Sequence, residues 1–150
     1  MKLKVPPVFV FLIFALLMYL LAKWLPVGYF DFFGRVYIIG VLLVVAAIIG
    51  VISLIQFFRA KTSVDPTRPS KVVSLVTDGV YKYSRNPMYL AILLVLLAWG
   101  LWLGNAFNTL LAASFVGYMN RFQVLPEEEA LLKAFGKQYQ KYLTNVRRWF

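Results

Sequence analysis

Charged residues along this chain gather in a few clusters, and between the clusters run long, almost wholly apolar stretches. Residues 6–25 carry one charge, Lys23, near the far end, and residues 36–58 carry none. Each run matches the length at which a helix crosses a hydrocarbon core about 30 Å thick. Two further runs, residues 88–103 and 106–125, are joined by an uncharged Gly104-Asn105 link. The first of them is just long enough to span with Tyr89 and Trp102 at the interfaces, and so short a link predicts a tight helical hairpin. After Pro126 the period changes. Leu131, Phe135, Tyr139, Tyr142 and Val146 recur at three- and four-residue spacing, with Lys133, Lys137 and Lys141 on another face. This predicts an amphipathic helix over residues 126–146 lying on the membrane surface. The expected fold is one all-α integral membrane domain with about four transmembrane helices and a C-terminal amphipathic surface helix.

The polar segments set its orientation. Residues 59–87 form the longest of them, with Arg59, Lys61, Arg68, Lys71, Lys82 and Arg85 against Asp65 and Asp78. Such an excess of Lys and Arg marks the cytoplasmic side and, with four spans, puts both termini there. Within this loop Asp65 to Ser70 is rich in turn formers, and Val72 to Val76 is a short apolar patch whose secondary structure the pattern leaves open. Trp24, Tyr29, Phe30 and Phe32, with Pro26 and Gly28, read as an interfacial turn, and Asp31 and Arg35 as a solvated pair. Gly40 and the Ala46/Gly50 pair allow close helix approach. The first run is read as a retained span, and the expected location is the bacterial or archaeal inner membrane.

Composition narrows the chemistry. The chain is 61% apolar, with a mean hydropathy of +0.74, above the range of soluble domains. It contains neither Cys nor His, which removes disulfides, thiol nucleophiles, imidazole acid/base pairs and the usual zinc and haem ligand sets. The net charge of +10 fits loop charge facing anionic lipid, so membrane lipids rather than nucleic acid are the expected partners.

The stretch Gly79-Val80-Tyr81-Lys82-Tyr83-Ser84-Arg85-Asn86-Pro87-Met88-Tyr89 stands where the basic loop meets the third apolar run. Pro87 suits the first position of a helix, because the N–H it lacks would be unpaired there anyway. The helix N-terminus and the Arg85 guanidinium together favour an anion. A plainer reading makes these residues an aromatic and basic anchor at headgroup depth. Glu127, Glu128 and Glu129 open the last helix, where capping and the helix dipole account for one or two of them. The hairpin topology puts both clusters on one side, so they can meet, and a basic corner facing an acidic one suits a zwitterionic ligand.

In this order and spacing, Gly79-Val80-Tyr81, Arg85-Asn86-Pro87-Met88-Tyr89, a hairpin, then glutamates followed by Leu131, Leu132, Phe135-Gly136 and Tyr139, the chain resembles the isoprenylcysteine carboxyl methyltransferase and phospholipid methyltransferase family of small membrane enzymes. The resemblance covers about Val73 to Val146. It implies an S-adenosylmethionine site reached from the cytosol and a lipid-like substrate entering from the bilayer. Carried over, Tyr81, Asn86, Pro87, Met88 and Tyr89 line the cofactor site, Val73, Ser74, Leu75 and Val76 supply backbone contacts at its edge, and Glu127 with its neighbour Glu128 binds the cofactor. Arg85 and Asn86 are the candidate catalytic residues. Asn86 stands where the family has His; an amide still donates and accepts hydrogen bonds but carries no titrating proton. The prenylcysteine enzymes place an Arg four residues before the first glutamate, where this chain has Gln123. Arg121 lies two residues away, about 200° around an α-helix, and replaces that Arg only if the helix geometry changes. Both are candidate substrate-binding residues.

The reaction expected is methyl transfer from S-adenosylmethionine to a carboxylate or amine on an amphiphile, driven by proximity, alignment and a dry site, as suits a chain without His or Cys. The competing readings are a membrane protein of the same architecture that only binds lipid or a partner, and a nicotinamide-dependent membrane reductase; the chain has no dinucleotide fingerprint. No metal site is expected.

Overall fold

The computed structural model describes residues 5–25, 27–60 and 74–150, so Val73 and most of the loop before it lie outside the described residues. Helix α1 spans Pro7–Trp24 and α2 spans Arg35–Arg59. A 3-10 turn, Gly79–Lys82, leads into α3, Pro87–Leu103. Helix α4, Asn108–Met119, passes through one π-helical turn, Asn120–Val124, into α5, Leu125–Phe135, and α6 spans Lys137–Asn145. The described residues contain no strand, and an isolated bridge joins Tyr29 to Asn105.

Two of these helices are long and apolar enough to cross a membrane, α1 and α2, with mean hydropathies of 2.1 and 3.2. At 1.5 Å per residue they are about 27 and 38 Å long. Their outer faces expose Phe9, Leu12, Ile13 and Leu16 on α1 and Val41, Val44, Ile48 and Val51 on α2, surfaces that belong in hydrocarbon. The chain is a membrane protein. Helix α3 is equally apolar and, at 17 residues, shorter.

Packing centres on α3. Helix α2 runs along one side of it, and α1 and α4 close the other. Val10 and Met18 of α1, Tyr89, Leu93 and Leu96 of α3, Ala112, Phe115 and Met119 of α4, and Val124 form one buried cluster. Within it Phe14 meets Phe115 edge to face at 5.5 Å, and the Trp99 indole donates to the Ala15 carbonyl at 3.0 Å. The Ala46/Gly50 pair brings α2 close to α3: a methyl added at Gly50 would lie 3.5 Å from Ala91 Cβ. Gly40 plays no such part, since a methyl there would meet nothing within 4 Å.

The last third of the chain departs from the expected pattern twice. Where a break was expected before Pro126, the helix continues. Proline lacks an N–H and presses on the carbonyl four residues back; the widened turn just before it, closed by a bond from the Leu125 N–H to the Asn120 carbonyl, takes up that misfit. The second departure is at Gly136, whose φ of 50° and ψ of −121° suit glycine alone. It splits the expected helix over residues 126–146 into α5 and α6. The apolar side of α6 does not lie on a membrane surface as expected: Tyr139 and Tyr142 are buried, 2% and 8% exposed, against the rest of the protein.

The turn after α1 and the α3–α4 hairpin are tied together at one end of the bundle. Phe30 N–H donates to the Gly104 carbonyl at 2.8 Å, Ala106 N–H to the Gly28 carbonyl at 2.9 Å, and the Asn105 amide to the Leu25 carbonyl at 2.8 Å. Gly104 has a φ of 67°, and a Cβ there would sit 3.0 Å from the Tyr29 ring and 3.1 Å from the Phe30 carbonyl oxygen. Replacing Gly104 with Ala therefore combines left-handed strain with a displaced carbonyl, and is expected to destabilise the fold by about 2 kcal/mol. Unfolding followed by circular dichroism in detergent measures this; an unchanged midpoint would mean that the hairpin tip does not need this turn.

Candidate functional site

The opposite end of the bundle holds the residues singled out by their chemistry. Gln56, one of the few polar residues of α2, sets the approach to them. Its side-chain amide donates to the Asp78 carbonyl at 3.0 Å and accepts from the Val80 N–H at 3.3 Å, fixing the 3-10 turn against the end of α2. That turn buries Tyr81, whose ring packs 6.0 Å from that of Phe57 and whose carbonyl accepts a 2.6 Å bond from the Tyr142 hydroxyl of α6. The chain then runs through Ser84, Arg85 and Asn86 to Pro87, which occupies the start of α3 as its chemistry predicts.

Continuing α4 through the π turn brings the first turn of α5 over the start of α3, and the two motifs meet there. The Tyr89 hydroxyl donates to Glu127 Oε1 at 2.8 Å. Arg85 Nη1 lies 3.0 Å from Glu128 Oε1, with the two side chains 12% and 13% exposed. Arg148 grips the same carboxylate from the other side at two points, Nε to Oε1 at 3.0 Å and Nη2 to Oε2 at 2.8 Å. None of these bonds is a helix cap, although both glutamates lie in the first turn of α5. Glu129 is exposed.

The residues after α6 form a strap across the loop. Arg85 N–H donates to the Arg147 carbonyl at 3.0 Å, and the Asn86 amide donates to the Arg148 carbonyl, also at 3.0 Å. The Trp149 indole bonds Asn120 Oδ1 on the π turn at 2.9 Å, while its ring packs on the core cluster. The strap and the loop thus close on Glu128 from two sides.

Burial and charge shape the electrostatics. Burial, then the charge of Glu128, raises the Tyr139 hydroxyl to about 12, with attraction to Arg85 and Arg148 acting the other way. Burial also pushes Tyr81 and Tyr142 upward, so these phenols stay protonated at neutral pH. Hydrogen bonding to Glu128 raises Arg148 against the opposing effect of burial. Two buried polar atoms here, the Tyr81 hydroxyl and Arg85 Nε, have no hydrogen-bond partner among the described residues.

Of the residues singled out from sequence, Tyr81, Arg85, Tyr89, Glu127 and Glu128 come together. Pro87 is buried and Met88 half-buried at the start of α3. Asn86 is held by the strap. Ser74 donates to the Ala60 carbonyl at 2.7 Å, at the end of α2, and Leu75 and Val76 are half-buried; Val73 lies outside the described residues. The two candidate substrate-binding residues, Arg121 and Gln123, both lie on the π turn and differ in burial. Arg121 is exposed, whereas Gln123 is 1% exposed, donates to the Val5 carbonyl and keeps an unpaired Oε1. Arg148 was not anticipated: in the linear pattern it cannot be told from Arg147, which is exposed. The tyrosines of α6 did carry a signal, but a periodic aromatic face looks the same whether lipid or protein covers it.

The model of the phospholipid methyltransferase family matches residues 35–138, a stretch from α2 to the start of α6 that includes the meeting of both motifs. The chain belongs to that family. It is 48% identical over 62 residues to an uncharacterized protein of Haemophilus influenzae, a match covering 41% of this chain and 98% of that one. It is also 29% identical over 94 residues to a protein-S-isoprenylcysteine O-methyltransferase of Schizosaccharomyces pombe, covering 63% of this chain and 40% of the yeast enzyme. No solved structure matches.

The two-point bond between Arg148 and Glu128 is what distinguishes a strap built into the site from a tail resting on it. A double-mutant cycle with Arg148→Ala and Glu128→Gln is expected to give a coupling of about 1 kcal/mol, a modest value because Arg148 is 32% exposed and water screens part of the attraction. Chemical unfolding of the four proteins supplies the cycle; additive effects would make Arg148 a surface charge.

Proposed function

We propose that this protein transfers a methyl group from S-adenosylmethionine to a carboxylate or amine of a lipid-like amphiphile at the cytoplasmic face of the membrane. The observation that carries this reading is the convergence of Arg85, Tyr89, Glu127 and Glu128 beside two buried polar atoms without partners, the Tyr81 hydroxyl and Arg85 Nε. Membership of a methyltransferase family supports it.

These residues fit the cofactor's chemistry. Its carboxylate suits Arg85 Nε and the Tyr81 hydroxyl, which donate, and its ammonium or ribose hydroxyls suit Glu127, whose orientation Tyr89 holds. When bound, the cofactor supplies an electrophilic methyl group: a new bond forms from the substrate oxygen or nitrogen to that carbon while the carbon–sulfur bond breaks and its electron pair stays on sulfur. The chain's own part is to bind and orient. Glu128, matched by two guanidiniums, adds no uncompensated negative charge, and the strap keeps water from the pocket. Such a displacement needs little proton transfer, which is consistent with Asn86 in place of a histidine. The Met88 side chain and the backbone of Ser74 to Val76 are assigned to the pocket's edges, Gln123 to its inner wall and Arg121 to anionic headgroups.

The topology that goes with this reading has four spans, α1, α2, α3, and α4 with the π turn, and both termini in the cytoplasm. Helix α3, and α4 with its π turn, are each about 25 Å long, enough for a thin or locally thinned bilayer. Cysteine introduced at Ala106, exposed at the hairpin tip beside the buried Asn105, is then labelled by an impermeant reagent from outside intact cells. Labelling only after the membrane is opened would reverse the orientation.

Glu127→Gln keeps size and helix propensity but removes the charge. It is expected to weaken S-adenosylmethionine binding tenfold or more, about 1.4 kcal/mol, with little change in unfolding, as read by isothermal titration of the purified protein. Wild-type protein that binds reduced nicotinamide and not S-adenosylmethionine would replace this function with the reductase; binding of neither would leave a lipid- or partner-binding protein.

A further inference from the structure

The hairpin end of the bundle contains a second feature, one that lies at the far end of α3 from Glu127. A cavity of about 220 Å³ is walled by Met18 of α1, Leu42 of α2, Leu97 and Gly100 of α3, and Asn108 and Thr109 of α4. Gly100 makes part of this room: a methyl there would come within 3.5 Å of Asn108 Cβ and 3.8 Å of Met18 Cε. No charged residue lines it. Asn108 is 2% exposed, and neither its amide nitrogen nor its amide oxygen has a hydrogen-bond partner among the described residues. A buried amide left in this state costs about 1–3 kcal/mol. Asn105, also on the wall, differs, because its oxygen accepts from the Phe107 N–H and its nitrogen donates to the Leu25 carbonyl.

We propose that this cavity binds the hydroxyl end of a neutral lipid chain. Asn108 offers an NH2 donor group and a carbonyl acceptor side by side, and a hydroxyl is a small uncharged group that can accept from one and donate to the other. An ionised headgroup would enter without a counter-charge and is excluded by the desolvation it would suffer. Water alone fits poorly. The volume corresponds to about seven waters at 30 Å³ each, and each buried water needs two to four polar partners, whereas the unpartnered buried polar atoms of the wall are those of Asn108. One polar end with an apolar remainder is the shape of an amphiphile, and the exposed apolar faces of α1 and α2 put a source of such chains alongside.

Thermal unfolding of the full chain in phosphatidylcholine nanodiscs tests this, with decan-1-ol as probe and decane at the same mole fraction as control. Decan-1-ol is expected to raise the midpoint of the wild type by about 4 °C relative to decane, the shift that roughly tenfold excess over Kd produces in a chain of this size. Asn108→Leu should abolish the difference between alcohol and alkane. Gly100→Ala, whose added methyl makes only ordinary contacts, should shrink it while folding normally. Equal shifts from alcohol and alkane, or an alcohol effect that survives Asn108→Leu, would overturn the proposal. So would no alcohol effect in the wild type together with a more stable Asn108→Leu, the result expected of an amide that holds ordered water only. Because none of these readouts uses methyl transfer or S-adenosylmethionine, the proposal stands or falls separately from the function assigned to the other end.

Discussion

A carboxylate that is 13% exposed in a protein this apolar must be neutralised where it sits, and the Glu128 carboxylate is neutralised by arginines from two distant parts of the chain. Arg85 arrives from the loop before α3 and Arg148 from beyond α6. Removing water from a charge costs several kcal/mol unless paired groups take its place, so this carboxylate requires all three segments to be together. The rest of the site follows from that requirement. The loop carries Tyr81 and leads to Tyr89, the first turn of α5 carries Glu127, and the strap brings Trp149 to the π turn and main-chain carbonyls to Arg85 and Asn86.

The π turn and the break at Gly136 are the two backbone irregularities that make this meeting possible. An unbroken α-helix from α4 onward would keep its period through Pro126 and orient the glutamates differently relative to α3. The widened turn changes the angular relation between residues before and after it. It leaves Gln123 inside and Arg121 outside. Gly136 then turns the chain so that α6 lays Tyr142 on the 3-10 turn, its hydroxyl bonded to the Tyr81 carbonyl, and brings Tyr139 beside Glu128 and Arg85. Each irregularity stands next to a residue that favours it, a proline in one case and a glycine in the other.

The two ends of α3 are chemically opposite. One gathers two arginines around the Glu128 carboxylate beside phenols kept protonated by burial. The other has an uncharged cavity with a single unsatisfied amide. The helix between them is apolar along its length and packed on both sides, so the protein presents two separate chemical environments joined by a rigid element.

Much of this was legible in the residues themselves. The uncharged runs required helices because backbone groups in hydrocarbon must be satisfied within their own segment, and Pro87 marked the start of α3. The ordered motifs around Arg85 and Glu127 identified the candidate site, since their residue types and spacing are local properties. What the sequence could not determine was which charges meet. Arg147 and Arg148 are adjacent and identical in type, yet only the second faces Glu128, a difference set by how the strap crosses the loop. Gln56 reads as a polar residue in an apolar helix until the fold brings Asp78 and Val80 to it. The face of α6 has the same period whether lipid or protein covers it. Periodicity and composition depend on neighbours along the chain, whereas pairing and burial depend on neighbours in space, and those were decided by the tertiary structure.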